Sequence, residues 1–473
     1  MPDDALKLKR LRLVNFRKFG GLSIDFDDRL TVLIGDNGSG KTAVLDAAAI
    51  ALGAFLIRVN SPHHTIVGRG VQASDMRLRS SRTGSVISNQ PQPLEIQAAA
   101  VFRNDDVVWS RTMNESSRRQ GGMLRHVTQA SQALQREITE GGKTSLPLFA
   151  YYGTGRLWLH KRDRQYSEGF FSKGFSRANG YIDCLDYANN EKLMLNWFER
   201  MTQIELQKQQ LGVDCRIPEL DAVREALARC FTDLTGRRQV SVIFDLSVNS
   251  LMLVDSDDSG SPQMLPFENL SDGYRNTLSL IADIAYRMAM LNPDAEHILD
   301  SPGVVLIDEI DLHLHPKWQE RIIHDLITIF PRVQFIVSSH APSVISSVKS
   351  THLRGIRQVQ VGETQTDVFG NPILSDGLSE SERSLRYTAY IPTVESYGHN
   401  AGTVLEDIMG ANDRPSSVKR ELSRFHHALD TGNLAEAEAR LSSLENELGN
   451  DPDLVAGRVS LDLERLDGDD ALD

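Results

Sequence analysis

"LTVLIGDNGSGKTAVLDAAAIAL", residues 30–52, decides the fold. A short apolar and β-branched run enters a glycine-rich turn, which opens into an Ala/Leu-rich stretch at helical period: strand, loop, helix. Within it, Gly35 to Thr42 match GxxxxGK[ST], and the flanking strand and helix turn that pattern into a phosphate loop. The backbone of Gly35, Asp36, Asn37, Gly38, Ser39 and Gly40 is expected to curl around phosphate oxygens. Lys41 supplies a point charge and Thr42 a hydroxyl for Mg²⁺, so ATP and Mg²⁺ are the expected ligands.

Such a site needs a second strand ending in a carboxylate, because Mg²⁺ keeps most of its waters and takes one or two protein oxygens. "VVLIDEIDLHLHP", residues 304–316, provides it. Asp308 closes the apolar run as the metal-side carboxylate, and Glu309, one step on, is placed to orient or deprotonate an attacking water. A third strand, "VQFIVSSH" (333–340), ends in Ser339 and His340, with His340 placed to reach the γ-phosphate. Glu309, His340 and Lys41 are thus the candidate catalytic residues, and Thr42 and Asp308 the candidate metal ligands. His313 and His315 form an H-x-H without an evident third ligand, which favours a turn over a metal site. Short buried strands with helices between them predict an α/β protein with a parallel sheet.

A second stretch, "LSDGYRNTLSL" (270–280), is a polar turn leading into an amphipathic helix, and Ser271 and Gly273 are spaced like another anion grip. One phosphate loop leaves no obvious use for it within a single chain.

The 473 residues suffice for about three domains. No apolar run is long enough to span a bilayer, and the amino terminus lacks the pattern of a leader, so no membrane partner and a cytoplasmic location are expected. Cys184, Cys215 and Cys230 are too scattered for a zinc or redox pair and are expected to be buried. The net charge of −13 is uneven: residues 401–473 carry 17 Asp/Glu against 7 Lys/Arg, a balance of −10. Elsewhere basic clusters occur, notably Arg156, Lys161, Arg162, Arg164, Lys173 and Arg177, interleaved with Trp158, Tyr166, Phe170 and Phe171. That mix suits DNA contact, and a solvated face is the other reading.

The order of phosphate loop, "LSDGYR", "LIDEIDLHLHP" and "SSHAP" resembles the ABC-type ATPases of the RecF, SMC and OLD group, over about residues 5–360. The resemblance implies a head with mixed β-sheets flanked by helices, a helical insertion and a helical C-terminal region. It divides the chain into 1–155 (N-terminal lobe), 156–236 (helical insertion), 237–365 (C-terminal lobe) and 366–473 (oligomerisation and partner docking). It also implies that Ser271 and Gly273 act in trans, gripping the γ-phosphate bound at Lys41 of a second copy. Arg17 of "NFRKF" is either a surface charge or, by the resemblance, a basic residue near the phosphates. Asp272 and Tyr274 depart from the common signature. No Gln follows "LPLFA", where "YYGTGR" (151–156) stands instead.

The insertion is too short for SMC arms, and no strand ending in Glu-Gly or Asp-x-Asp follows "SSHAP", so a nuclease centre of its own is not expected. With "ESYGHNAGTVLEDIMGANDRPSSVK" (395–419), the chain resembles the PtuA-type ATPases of Septu and retron anti-phage systems. That implies homo-oligomers built from dimers, a separately encoded HNH nuclease of the PtuB type as partner, and contact with DNA or retron nucleic acid. A RecF-like repair ATPase is the alternative, and a nucleotide-locked scaffold with little turnover is a third reading.

Overall fold

Residues Leu30–Ile34 are a fully buried strand, as the apolar run requires, and the sheet built around it positions everything that follows. The computed structural model describes residues 6–470 except 62–65, 84–85, 115–119, 142–143, 158–175, 187–190, 215, 237–239, 257–261, 359–385, 413 and 450. In chain order the strands are β1 (Leu6–Phe16), β2 (Phe19–Asp25), β3 (Leu30–Ile34), β4 (Leu78–Thr83), β5 (Val86–Pro91), β6 (Leu94–Phe102), β7 (Asp105–Met113) and β8 (Gln120–Gly121). They continue with β9 (Leu148–Tyr152), β10 (Ser241–Asp245), β11 (Ser250–Ser256), β12 (Pro262–Pro266), β13 (Gly303–Ile307), β14 (Val333–Ser338), β15 (Leu353–Gln358) and β16 (Arg386–Tyr390). The helices used below are α1 (Lys41–Leu52), α2 (Arg125–Glu140), α3 (Glu191–Gln210), α4 (Pro218–Thr235), α5 (Asp272–Leu291), α6 (Pro316–Gln319), α7 (Ile322–Ile329) and α8 (Pro342–Ser346).

Eleven strands form one mixed sheet in the order β8-β7-β6-β1-β2-β16-β15-β3-β14-β13-β9. Its β15-β3-β14-β13-β9 part is parallel. Strands β13 and β14 are buried at every residue, the pattern of a parallel strand covered on both faces. Strand β1 alternates instead, and its β6–β7 extension turns at Arg103 and Asn104, both left-handed (φ 54° and 66°), a two-residue hairpin that follows the strand twist.

Gln334 on β14 is buried, and its amide is satisfied by Leu8 N (2.8 Å), Leu8 O (2.8 Å) and Asp27 O (2.7 Å). Since four strands separate β1 from β14 in sheet order, the sheet curls back on itself. Helix α1 lies in that curl against β1, β6, β13 and β14, with every residue but Thr42 buried. Its Ala-rich, all-round apolar sequence suits that enclosure.

A three-stranded sheet, β10-β11-β12, delivers the chain to α5, which packs against α3 and α4. The Arg/Ser-rich stretch near residue 80 contains a two-stranded ribbon, β4–β5, where the sequence shows only weak periodicity.

Compact units run from Met1 to Gly398 and from His399 to Asp473, so the strand after residue 366 stands with the large sheet. In the second unit, helices Ser416–Asp430, Leu434–Leu448 and Pro452–Asp470 share a core of Phe425, Ala437, Leu441, Leu444, Leu454 and Leu461. The last helix also exposes Val455, Val459 and Leu463, at 57%, 55% and 57% accessibility, on one face at a spacing of four.

Candidate nucleotide site

Strand β3 ends at Ile34, and Gly35, Gly38 and Gly40 then take φ of 137°, 80° and 105°, a region side chains rarely enter. Gly40 is doubly constrained, because a Cβ there would lie 2.3 Å from the Phe19 ring. Asp36, Asn37 and Gly38 form the exposed tip of the loop, and Ser39 and Gly40 are half-buried. Gly40 caps α1 without a side-chain bond, which leaves the first N–H groups of the helix for an anion.

The Lys41 side chain folds into the loop. Its ammonium donates to Gly35 O (2.7 Å), Asp36 O (3.0 Å) and Ser39 Oγ (3.4 Å), and the residue is 5% exposed. Burial pushes its pKa down, against the opposing pull of Asp308, Glu309, Asp36 and Asp311. Asp311 is an acid that sequence reasoning missed.

Strand β14 lies between β3 and β13, so the ends of all three strands meet. Asp308 follows β13 at 1% exposure, and its N–H donates to Tyr152 O at 2.8 Å, continuing the β9–β13 ladder. Ser338 joins the two acidic residues: its hydroxyl donates to Asp308 Oδ1 at 2.6 Å and accepts from the Glu309 N–H at 2.8 Å. Glu309 is held at φ 47°, a left-handed conformation that costs a non-glycine residue about 1–2 kcal/mol and recurs at functional sites. The sequence reading passed over Ser338 in favour of its neighbour. The signal was a small polar residue closing an otherwise apolar central strand.

The Ser339 N–H donates across to Leu33 O on β3 (3.2 Å), and its hydroxyl oxygen accepts from the Ala341 N–H (3.0 Å). His340 follows, half-buried, before α8. The H-x-H is a turn: His313 is left-handed at φ 61°, and His315 caps α6, with Nδ1 accepting from Lys317 N–H at 3.3 Å. Among the described residues no group of three or more His, Cys, Asp or Glu is arranged to hold a metal. A carboxylate at Asp308 with an exposed hydroxyl at Thr42 is a hard-oxygen pair, which fits Mg²⁺ retaining its waters.

The turn at Ser271 is fixed from behind. Gly273 is buried, and a Cβ there would lie 2.8 Å from His313 O, in the segment that follows Glu309. Asn276 Nδ2 donates to Leu312 O at 3.1 Å, and the rings of Tyr274 and Trp318 approach to 4.1 Å. Gly273 is therefore required by packing within its own chain. Ser271 is exposed at the start of α5, and its hydroxyl makes no capping bond to that helix.

Of the two basic residues in "NFRKF", Lys18 is the one that touches the loop. Its ammonium donates to Gly38 O at 2.6 Å and lies 4.7 Å from the Tyr387 ring centroid. Arg17 turns to Asp46 and Asp75, and these carboxylates outweigh the burial that opposes its charge and raise its pKa. Asp46 on α1 also takes Arg69 and the Tyr151 hydroxyl (3.0 Å), so it anchors the helix. An Asp inside an Ala-rich helix could have prompted a search for such partners.

Cys184 and Cys230 are buried, as expected, and Cys215 lies outside the described residues. Of the basic and aromatic cluster, 158–175 also lies outside them. Arg177 is engaged within the fold, donating to Leu291 O (2.6 Å) and Thr144 O (2.8 Å). No helix among the described residues is long and apolar enough to cross a membrane.

The chain is similar to several known proteins. A family model described as "AAA domain" matches residues 10–235, and a second AAA-domain model matches 186–346. "Retron Vc95 probable ATPase" of Vibrio cholerae is 26% identical over 80% of this chain and 79% of its own. "Septu protein PtuA" of Bacillus thuringiensis is 28% identical over 46% of this chain and 50% of its own. The SMC head domain from Thermotoga maritima aligns at a TM-score of 0.42 and 13% identity over 82% of this chain and all (100%) of that one, a loose likeness that adds nothing about the site. The relatives and the AAA matches, together with a phosphate loop facing an Asp-Glu strand end, support a PtuA-type ABC ATPase, similar to those of retrons.

Proposed function

We propose that the protein is the ATPase subunit of an anti-phage complex, in which two heads close on shared ATP and so control a separately encoded HNH nuclease. The observation that carries this reading is Ser271: an exposed hydroxyl at the start of a 20-residue helix, capping nothing in its own helix and braced against the segment that follows Glu309. In this reading Lys41 and the loop amides hold the triphosphate. Thr42 and Asp308 would hold Mg²⁺, which would supply positive charge to neutralise the triphosphate. Glu309 takes the proton of the attacking water, His340 faces the γ-phosphate, and Ser271 of a second copy completes the cage. Gly273 supports that turn from within.

Ser271→Arg tests the shared site. It should leave ATP affinity within about twofold, since the loop is untouched, and abolish ATP-dependent dimerisation measured by sedimentation. A variant that still dimerises with ATP refutes the trans contact.

For the nuclease we assign the Val455–Val459–Leu463 face of the C-terminal unit. That unit carries −10 of the chain's net charge of −13, whereas a protein that cuts DNA presents basic surface, so the charges are complementary. Val459→Asp should abolish co-purification with an HNH protein encoded beside this chain while leaving ATP turnover unchanged. Undiminished co-purification excludes this face.

A further inference from the structure

Tyr152, the last residue of β9, acts in two directions. Its carbonyl accepts from the Asp308 N–H at 2.8 Å, and its hydroxyl donates to Asp283 Oδ2 at 2.7 Å, inside α5. One residue thus touches both the strand end that bears the metal-side carboxylate and the helix that begins at Ser271.

Asp283 in turn meets Arg287 one helical turn on, Nε to Oδ2 at 2.7 Å, and both are almost wholly buried at 2% and 5% exposure. Asp283 Oδ1 has no hydrogen-bond partner among the described residues, so this buried charge depends on Tyr152 and Arg287. Arg287 also donates to Gly180 O (3.0 Å) and Ile182 O (2.9 Å), while Cys184 O accepts from Tyr151 N–H at 2.8 Å. Segment 180–184 is therefore clamped between α5 and β9. Burial raises the pKa of the Tyr152 hydroxyl well above its ordinary value, and Asp283 raises it further, so it stays protonated and donates.

A buried Asp–Arg pair inside a helix is poor material for stability, because desolvation of both charges consumes most of the attraction. Its hydrogen bonds are directional, however, and a fully engaged network fixes one relative placement of the elements it joins. Here those elements are β9, α5 and segment 180–184.

We propose that Tyr152 is a positioning residue: through Asp283 and Arg287 it sets α5, and with it Ser271, relative to the strand that ends in Asp308, so that nucleotide at one reaches the other. This rests on the function proposed above only in giving Ser271 its role, since the relay itself lies within one chain.

The test is Tyr152→Phe in the full-length protein, which removes one hydroxyl and leaves Arg287 on Asp283; Asp283→Asn serves as the second variant if the first does not fold. With ATP and Mg²⁺, KM should stay within about twofold while kcat falls about tenfold, a split that mere loss of folded protein does not produce. Hydrogen exchange supplies the second readout. ATP should increase protection of amides 272–276 in the wild type and not in the variant. Wild-type kcat together with wild-type protection in the folded variant overturns the proposal, as does a wild-type α5 that ignores ATP. A failure of the trans contact appears instead as Ser271→Arg dimerising normally, with the exchange response of α5 intact.

Discussion

Lys41→Ala is expected to abolish measurable ATP binding, a loss of at least about 100-fold in affinity. The ammonium sits inside the loop, within 3.0 Å of the Gly35 and Asp36 carbonyls, and it feels the charges of Asp308, Glu309, Asp36 and Asp311. Without it, the loop would offer a triphosphate no side-chain cation of its own beside Asp308, Glu309, Asp36 and Asp311. Lys18, which reaches Gly38 O from the other side of the loop, does not replace it, because it lies over Tyr387 at the exposed tip. Isothermal titration with ATP and Mg²⁺ checks this. Retained micromolar binding would place the triphosphate elsewhere. The fold should be unaffected, since the lysine bonds only within its own loop.

Glu309→Gln separates binding from turnover. The side chain changes by one group while the backbone N–H bond to Ser338 and the left-handed backbone persist. Affinity should stay within a few-fold, whereas hydrolysis should fall about 100- to 10,000-fold through loss of the base. Because ATP then persists, the dimer should outlast that of the wild type in gel filtration. Equal, near-zero turnover in both proteins would leave a chain that holds nucleotide without consuming it.

The skeleton of this site was legible because each part obeys a local rule. A run of five buried residues ending in Asp, a glycine turn between strand and helix, and a polar turn before an amphipathic helix are written in adjacent residues. What escaped depends on distant neighbours. Ser338 gains its importance from lying on the strand between β3 and β13, and strand order is set by pairings some 300 residues apart in sequence. Arg17 is held by Asp46 and Asp75, neither of them its sequence neighbour, and Lys18, which the sequence reading did not single out, reaches the loop. Gly273 was read as room for a phosphate, while the fold adds a reason no single stretch contains, the carbonyl of His313. The β4–β5 ribbon lacks the apolar alternation that identifies a half-buried strand, so its sequence resembles a loop.

The curled sheet has a consequence for how the protein is made. Helix α1 is apolar over most of its surface, Asp46 apart, and is enclosed by strands that include β13 and β14, so on the ribosome its greasy surface waits for chain not yet synthesised. At roughly 5–20 residues per second, that wait lasts about 15–60 s. Premature termination anywhere before residue 338 would leave that apolar surface uncovered and release an aggregation-prone fragment.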